Sequence, residues 1–124
     1  MIAEKNEPRP VIAVVSGAPL VSEALASALG GFADVLALPG GQSDLTGLLD
    51  SIQPAGVVTD HPADAEAAAA YAGAARTAIL HVRIARGSLE VWNGCCWEET
   101  AGDLSPELVR NTVLARLRGL GSAA

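Results

Sequence analysis

Short apolar runs alternate with amphipathic segments over the first half of the chain. Residues 11–15 form a continuous β-branched run bounded by Ser16-Gly17, which is typical of a strand buried on both faces. The runs at residues 33–38 and 55–59, which end before Pro39 and Asp60, predict the second and third strands. Apolar residues at helical spacing follow the first two runs and predict helices over residues 19–31 and 43–52, the second with Ser43 as its N-cap. An alanine-rich stretch that begins at Pro62 or Asp64 and runs to residue 75 predicts a third helix.

The pattern changes at residue 77. In residues 77–85, apolar Leu80 and Val82 alternate with His81 and Arg83, which predicts a half-exposed strand. Residues 88–92 alternate in the same way, and Asn93-Gly94 favours a type I′ hairpin turn into a further strand at 95–99. We therefore expect an antiparallel meander over about residues 77–99. A last helix begins at Ser105-Pro106, and its buried stripe is predicted to be Val109, Val113, Leu117 and Leu120.

The predicted element order is β-α-β-α-β-α-β-β-β-α. Strands that alternate with helices pair in parallel through right-handed crossovers. We expect an α/β protein of one domain, residues 1–124, built as a three-layer α/β/α sandwich whose parallel sheet carries the 77–99 meander at one edge. A chain of 124 residues fits a single domain of this kind.

Composition and charge exclude several functions. Hydrophobic residues make up 50% of the chain but aromatic ones only 3%, so the core must be aliphatic. The formal net charge of −6 argues against nucleic acid as a partner. The charged N-terminus and the lack of an apolar run near the roughly 20 residues of a membrane span predict a cytoplasmic protein without membrane contact. The adjacent Cys95 and Cys96 indicate a reducing compartment, and we expect them to be packing residues.

The segment VIAVVSGAPLVSEALASALGGFADV, residues 11–35, resembles the opening of response-regulator receiver domains. In that family a loop often reading His-Pro-Leu leads from the first strand into a helix, and Ala18-Pro19-Leu20 keeps this form. The third strand, in GVVTDHP, carries Asp60 about where the family has its phosphoacceptor aspartate. The resemblance covers about residues 11–75 and implies a flavodoxin-like sheet and a place in two-component signal transduction.

The departures from the family pattern concern its switch chemistry. Ser16-Gly17 stands where the family has the acidic pair that binds Mg²⁺, and the chain's one lysine, Lys5, is far from the family's lysine position. His81 falls near the family's Ser/Thr position in the fourth strand. The resemblance thus implies a degenerate response regulator, not an enzyme and without cofactor or metal. It would act by protein–protein interaction, with another protein or with itself as a homodimer.

Two other functions remain open on the residues alone. The carboxyl ends of the parallel strands could bind a small molecule or an anion, and the pocket candidates there are Ser16, Gly17, Asp60, His61 and His81. A hydrolase would use Ser16, Asp60 and His81, although the chain has no GxSxG motif. Candidates for protein contacts are Trp92 and Trp97, which flank the predicted turn, and Arg110 and Arg116 in the last helix.

Overall fold

The computed structural model describes residues 9–41, 43–72 and 77–122, and within them it shows a mixed six-stranded sheet and four α-helices. The strands are β1 (Val11–Ser16), β2 (Asp34–Pro39), β3 (Gly56–Thr59), β4 (Ala78–Arg83), β5 (Ser88–Trp92) and β6 (Trp97–Glu99). The helices are α1 (Pro19–Leu29), α2 (Leu45–Ile52), α3 (Pro62–Ala72) and α4 (Pro106–Ser122), with a 3₁₀ turn at Ile84–Arg86. The predicted end of the third helix at residue 75 and the side chain of Leu120 lie outside the described residues.

The strand order across the sheet is β2-β1-β3-β4-β5-β6. The first four strands of this order are parallel, whereas β5 pairs antiparallel with β4 and with β6. This confirms the predicted α/β class and the antiparallel meander at one edge. The register pairs Val15 with Thr59 and Thr59 with His81, so the carboxyl ends of β1, β3 and β4 lie side by side.

Alternate residues of β1 belong to two separate hydrophobic clusters. Ile12 and Val14 pack in a first cluster with residues of α1 and α4, namely Leu25, Leu29, Val109 and Val113. Ala13 and Val15 pack in a second cluster with residues of α2 and α3, namely Leu45, Leu49 and Ala68. The buried members are aliphatic, as the composition predicts, and side chains such as Leu29 and Leu49 contribute about 1.5–3 kcal/mol each by burial.

The prediction that β4 is half-exposed is wrong. Residues 78–82 are all buried, His81 included. Leu80 and Val82 pack in the first cluster on one face, and on the other face Ile79 packs in the second cluster. Trp97 contacts His81 on that second face. The alternation of polar and apolar residues therefore does not mark a solvent-exposed face here. Ile84, predicted as a strand residue, instead begins the 3₁₀ turn and is largely exposed.

The predicted type I′ turn is also wrong. Trp92 pairs with Trp97, so the hairpin loop has four residues, 93–96. A type I′ turn needs positive φ at both central residues, but of Asn93 and Gly94 only Gly94 has it, with φ 97°. The Asn93 side chain instead closes the loop, since its Oδ1 accepts hydrogen bonds from the backbone N–H groups of Cys95 and Cys96 at 2.9 and 2.8 Å.

Two smaller expectations also fail. Cys95 and Cys96 are exposed free thiols on this loop, so they are not packing residues. The N-cap of helix α2 is Asp44 and not Ser43, so the helix begins one residue later than predicted.

Candidate functional site

Ser16 and Asp60 meet at the carboxyl edge of the sheet. Ser16 is the last residue of β1 and Asp60 directly follows β3, the neighbouring parallel strand. The Ser16 hydroxyl donates a hydrogen bond to Oδ2 of Asp60 at 2.8 Å and accepts one from the backbone N–H of Ala18 at 3.0 Å. Ser16 is buried, so this contact holds the carboxylate of Asp60 against the end of β1.

A second carboxylate, Asp64, lies close to this edge. Asp64 is buried in the first turn of α3, where a negative charge is favoured by the helix dipole. Its Oδ2 accepts a hydrogen bond from the backbone N–H of Gly41 at 2.9 Å and lies 3.9 Å from Nδ1 of the exposed His61. A Cβ at Gly40 would lie 3.2 Å from the same oxygen, which explains glycine at this close approach.

His81 is part of a polar network across β4 and β5. His81 and Glu90 are directly paired in the sheet, and Nδ1 of His81 lies 3.2 Å from Oε1 of Glu90. The other carboxylate oxygen of Glu90 accepts a hydrogen bond from Nη1 of Arg83, also at 3.2 Å. Glu90 therefore joins an imidazole and a guanidinium that lie two residues apart on the same face of β4.

The two tryptophans pack against each other and against the imidazole. The ring centroids of Trp92 and Trp97 are 5.3 Å apart, and Trp97 contacts His81 edge-to-face at 5.9 Å. Both tryptophans are half-buried against the second hydrophobic cluster. They stabilise the hairpin as a cross-strand pair and leave only part of each ring for contact with another molecule.

The two arginine candidates have different environments on α4. Arg110 is exposed and donates a hydrogen bond to Oδ1 of Asn111 at 3.3 Å. Arg116 is half-buried and donates to the carbonyl oxygen of Trp92 at 3.5 Å, which connects α4 to the end of β5. Of the two, Arg110 is the more accessible to a partner.

An open cleft of about 780 Å³ lies beside Asp60. Its walls come from the β1–α1 loop and α1, from Asp60 and the first turns of α3, and from β4, the 3₁₀ turn and the β5–β6 hairpin. Of the predicted pocket residues, Asp60 and His81 line the cleft, whereas Ser16, Gly17 and His61 are not among its lining residues. Glu90, Glu66, Arg83 and Arg86, which the sequence analysis did not select, do line it.

A shallower apolar groove of about 290 Å³ lies between α1, the end of β4 and the start of α4. Leu20 and Ile84 lie at this groove and are 80% and 54% exposed. Two large aliphatic side chains so exposed in one place form a surface suited to contact with a protein.

The proposed hydrolase residues form two pairs rather than one relay. Ser16 donates its hydroxyl hydrogen to Asp60, and His81 interacts with Glu90. A serine nucleophile needs a base within hydrogen-bond reach, and among the described residues the Ser16 hydroxyl has hydrogen bonds only with Asp60 and the backbone of Ala18. Within residues 9–41, 43–72 and 77–122, no group of three or more His, Cys, Asp or Glu side chains is placed to hold a metal ion.

Comparison with known proteins found no matching family model, no similar curated protein and no similar solved structure. Among the helices of the described residues, none combines the length and apolar character that a membrane crossing needs.

Proposed function

We propose that this chain is a cytoplasmic, receiver-like signalling module that acts through protein contacts and does not undergo Mg²⁺-dependent phosphorylation. The order β2-β1-β3-β4-β5 supports a three-layer, flavodoxin-like arrangement, because receiver and flavodoxin sheets share it, although β5 is antiparallel here. The location of Asp60 directly after β3 agrees with the resemblance of residues 11–75 to receiver domains.

The hydrogen bond between Ser16 and Asp60 carries the proposal. Mg²⁺ binds through oxygen ligands in near-octahedral geometry and prefers carboxylates, and phosphoryl transfer depends on the ion to neutralise the developing charge. At the end of β1 this chain has a neutral hydroxyl and a glycine. The hydroxyl donates to Oδ2 of Asp60 at 2.8 Å, so it occupies one oxygen of the carboxylate that would have to attack the phosphorus.

The apolar groove supports the second half of the proposal. Exposed aliphatic patches on small proteins commonly mark contact surfaces, and Leu20 and Ile84 form such a patch beside α1 and α4. The edge strand β6 is a weaker candidate, since it is three residues long and carries exposed Glu98 and Glu99.

Incubation with acetyl phosphate and Mg²⁺, followed by intact mass spectrometry, tests the loss of phosphorylation. A receiver domain that keeps its acidic pair is labelled in parallel as the positive control. We expect this chain to stay unlabelled while the control gains one phosphoryl group. Stoichiometric labelling that disappears in Asp60→Asn would contradict the proposal.

Sedimentation over a hundredfold concentration range tests the contact surface. Concentration-dependent dimers that Leu20→Ser weakens, and that the matched exposed substitution Ser27→Ala leaves unchanged, indicate self-association through the groove. If the chain stays monomeric at all concentrations, the partner at the groove is a different protein and not a second copy of this chain. Dimers that Leu20→Ser leaves unchanged would contradict the assignment of this surface.

A further inference from the structure

His81 lines the cleft beside Asp60 and keeps one ring nitrogen free of hydrogen bonds to the described residues. Its side chain is only 10% exposed, and Nδ1 lies 3.2 Å from Oε1 of Glu90. A carboxylate partner at Nδ1 favours the tautomer with the hydrogen on that nitrogen, which leaves Nε2 as an acceptor. In the described part of the chain no hydrogen bond involves Nε2, and this nitrogen is not fully buried, so solvent reaches it where His81 lines the cleft. The imidazole is therefore oriented and available to a bound molecule.

The charges around the cleft are divided between its walls. Arg83 and Arg86 come from the end of β4 and the 3₁₀ turn, and Glu90 of β5, which also lines the cleft, is paired with Arg83. Asp60 and Glu66 come from the β3–α3 side. Arg86 and Glu66 are exposed, and neither has an ion pair with another described residue. A simple anion is repelled by the acidic wall and a simple cation by the basic wall, so a molecule with both charges is the best electrostatic match.

Apolar side chains complete the cleft. Val21, Ile84 and the edge of Trp97 line it between the charged groups. Ligand sites of small molecules combine a mainly apolar lining with a few polar groups that fix orientation, in clefts of roughly 300–1,000 Å³. The volume of about 780 Å³ falls in this range and accommodates an amino acid with its side chain.

We propose that the cleft binds a small zwitterion of the amino-acid class. The carboxylate lies toward Arg83 and Arg86, the ammonium group lies toward Asp60 and Glu66, and Nε2 of His81 accepts a hydrogen bond from the ligand. The side chain of the ligand packs on Trp97 and Ile84. This inference goes beyond the receiver-like function and does not depend on it, because a protein that fails or passes the acetyl phosphate test can still bind an amino acid here.

Calorimetric titration tests the proposal with the chain of 124 residues. The standard amino acids and a set of dipeptides are screened by thermal shift, and each hit is titrated beside its N-acetyl and its C-terminal amide derivative. We expect one group of amino acids to bind and each blocked derivative to bind at least tenfold more weakly. If dipeptides bind more tightly than every free amino acid, that result would still support a zwitterionic ligand, and it would show that the ligand's carboxylate and ammonium groups are further apart than in a single amino acid. No binding at 10 mM by any compound, or equal binding of a blocked derivative, would overturn the proposal.

Matched variants locate the site. Arg86→Ala and Glu66→Gln change exposed side chains of the cleft, so we expect the fold to be kept and the affinity to fall about tenfold in each. Arg118→Ala and Glu23→Gln change exposed residues of the same types outside the cleft and should leave the affinity unchanged. Unchanged affinity in both cleft variants would refute this location. If Arg118→Ala and Glu23→Gln lower the affinity as much as the cleft variants do, the ligand binds non-specifically to charged residues, and this result would also refute the location.

Discussion

Removal of the Glu90 carboxylate is the sharpest test of the polar network on β4 and β5. In Glu90→Ala, Nδ1 of His81 and Nη1 of Arg83 both lose a partner that lies at 3.2 Å. Glu90 itself is 18% exposed, so water reaches it only partly in the native protein. We expect the substitution to lower the free energy of unfolding, and the two lost contacts contribute unequally.

The magnitude follows from how far water can replace each contact. Arg83 is 34% exposed, so solvent takes over most of its hydrogen bonding and this loss costs little. His81 is nine-tenths buried, and an unpaired polar group there costs about 2–3 kcal/mol. In a domain of this size such a loss lowers the melting temperature by about 10 °C. Glu90→Gln keeps one acceptor and should lose about half as much.

Urea unfolding of a double-mutant cycle measures the coupling. Because His81→Ala removes the group that Glu90→Ala leaves unpaired, we expect the double variant to lose about 1–2 kcal/mol less than the sum of the single variants. Glu23→Ala, a change at an exposed helical glutamate, should stay within about 0.5 kcal/mol of the wild type. Additivity of the cycle within about 0.5 kcal/mol would refute the reasoning, since it would show that the two side chains do not interact.

Three further predictions concern the meander and its turns. Gly87 has φ 65°, so Gly87→Ala should lower the free energy of unfolding by about 1–2 kcal/mol although the Cβ meets no atom; an unchanged urea midpoint would contradict this. Glu99 lies directly opposite Glu90 in the sheet, so Glu99→Thr should raise the melting temperature through relief of about 0.5 kcal/mol of like-charge repulsion, and a lower one would count against it. Cys95 and Cys96 should both react with a disulfide reagent in native buffer, and reaction only after urea is added would show that they are buried.

Much of the fold can be predicted because β1 and β3, at the centre of the parallel part of the sheet, are buried on both faces. The run that begins at Val11 is continuous and aliphatic, and a helix with clear apolar spacing follows it, whereas the run that begins at Gly56 is short and fully buried. Propensity and pattern agree in these segments. Their element types are therefore confirmed, and the predicted ends lie within one or two residues of those in the structure. The alanine-rich segment from Pro62 forms α3, where small side chains such as Ala68 pack in the second cluster.

The errors occur where tertiary contacts decide the outcome. The alternation in β4 suggested an exposed face, but Trp97 and Glu90 contact His81 there, and contacts with neighbouring strands leave no trace in the sequence of β4 itself. At the hairpin tip, the side chain of Asn93 forms the loop hydrogen bonds that a type I′ turn would have formed with its backbone.

The candidate site was predicted only in part for the same reason. Asp60 could be found because it directly follows a buried parallel strand, and Ser16 because it ends the neighbouring one. The sequence pattern indicates Asp64 only as a possible helix start, although a carboxylate in the first turn of a helix at this edge of the sheet is a signal that can identify it. To predict Glu90 as a site residue, one must know which residue of β5 pairs with His81 of β4, and the sequence pattern alone does not give this register.

In the proposed function, Ser16 donates a hydrogen bond to Asp60 at a position where receiver domains have an acidic residue, and Asp60 takes no part in a metal-dependent switch. Fluorine NMR with beryllofluoride, a mimic of an aspartyl phosphate, measures this most directly in the presence of Mg²⁺. We expect only the signals of free fluoride species at any Mg²⁺ concentration. A Mg²⁺-dependent bound resonance that vanishes in Asp60→Asn would contradict the proposed function.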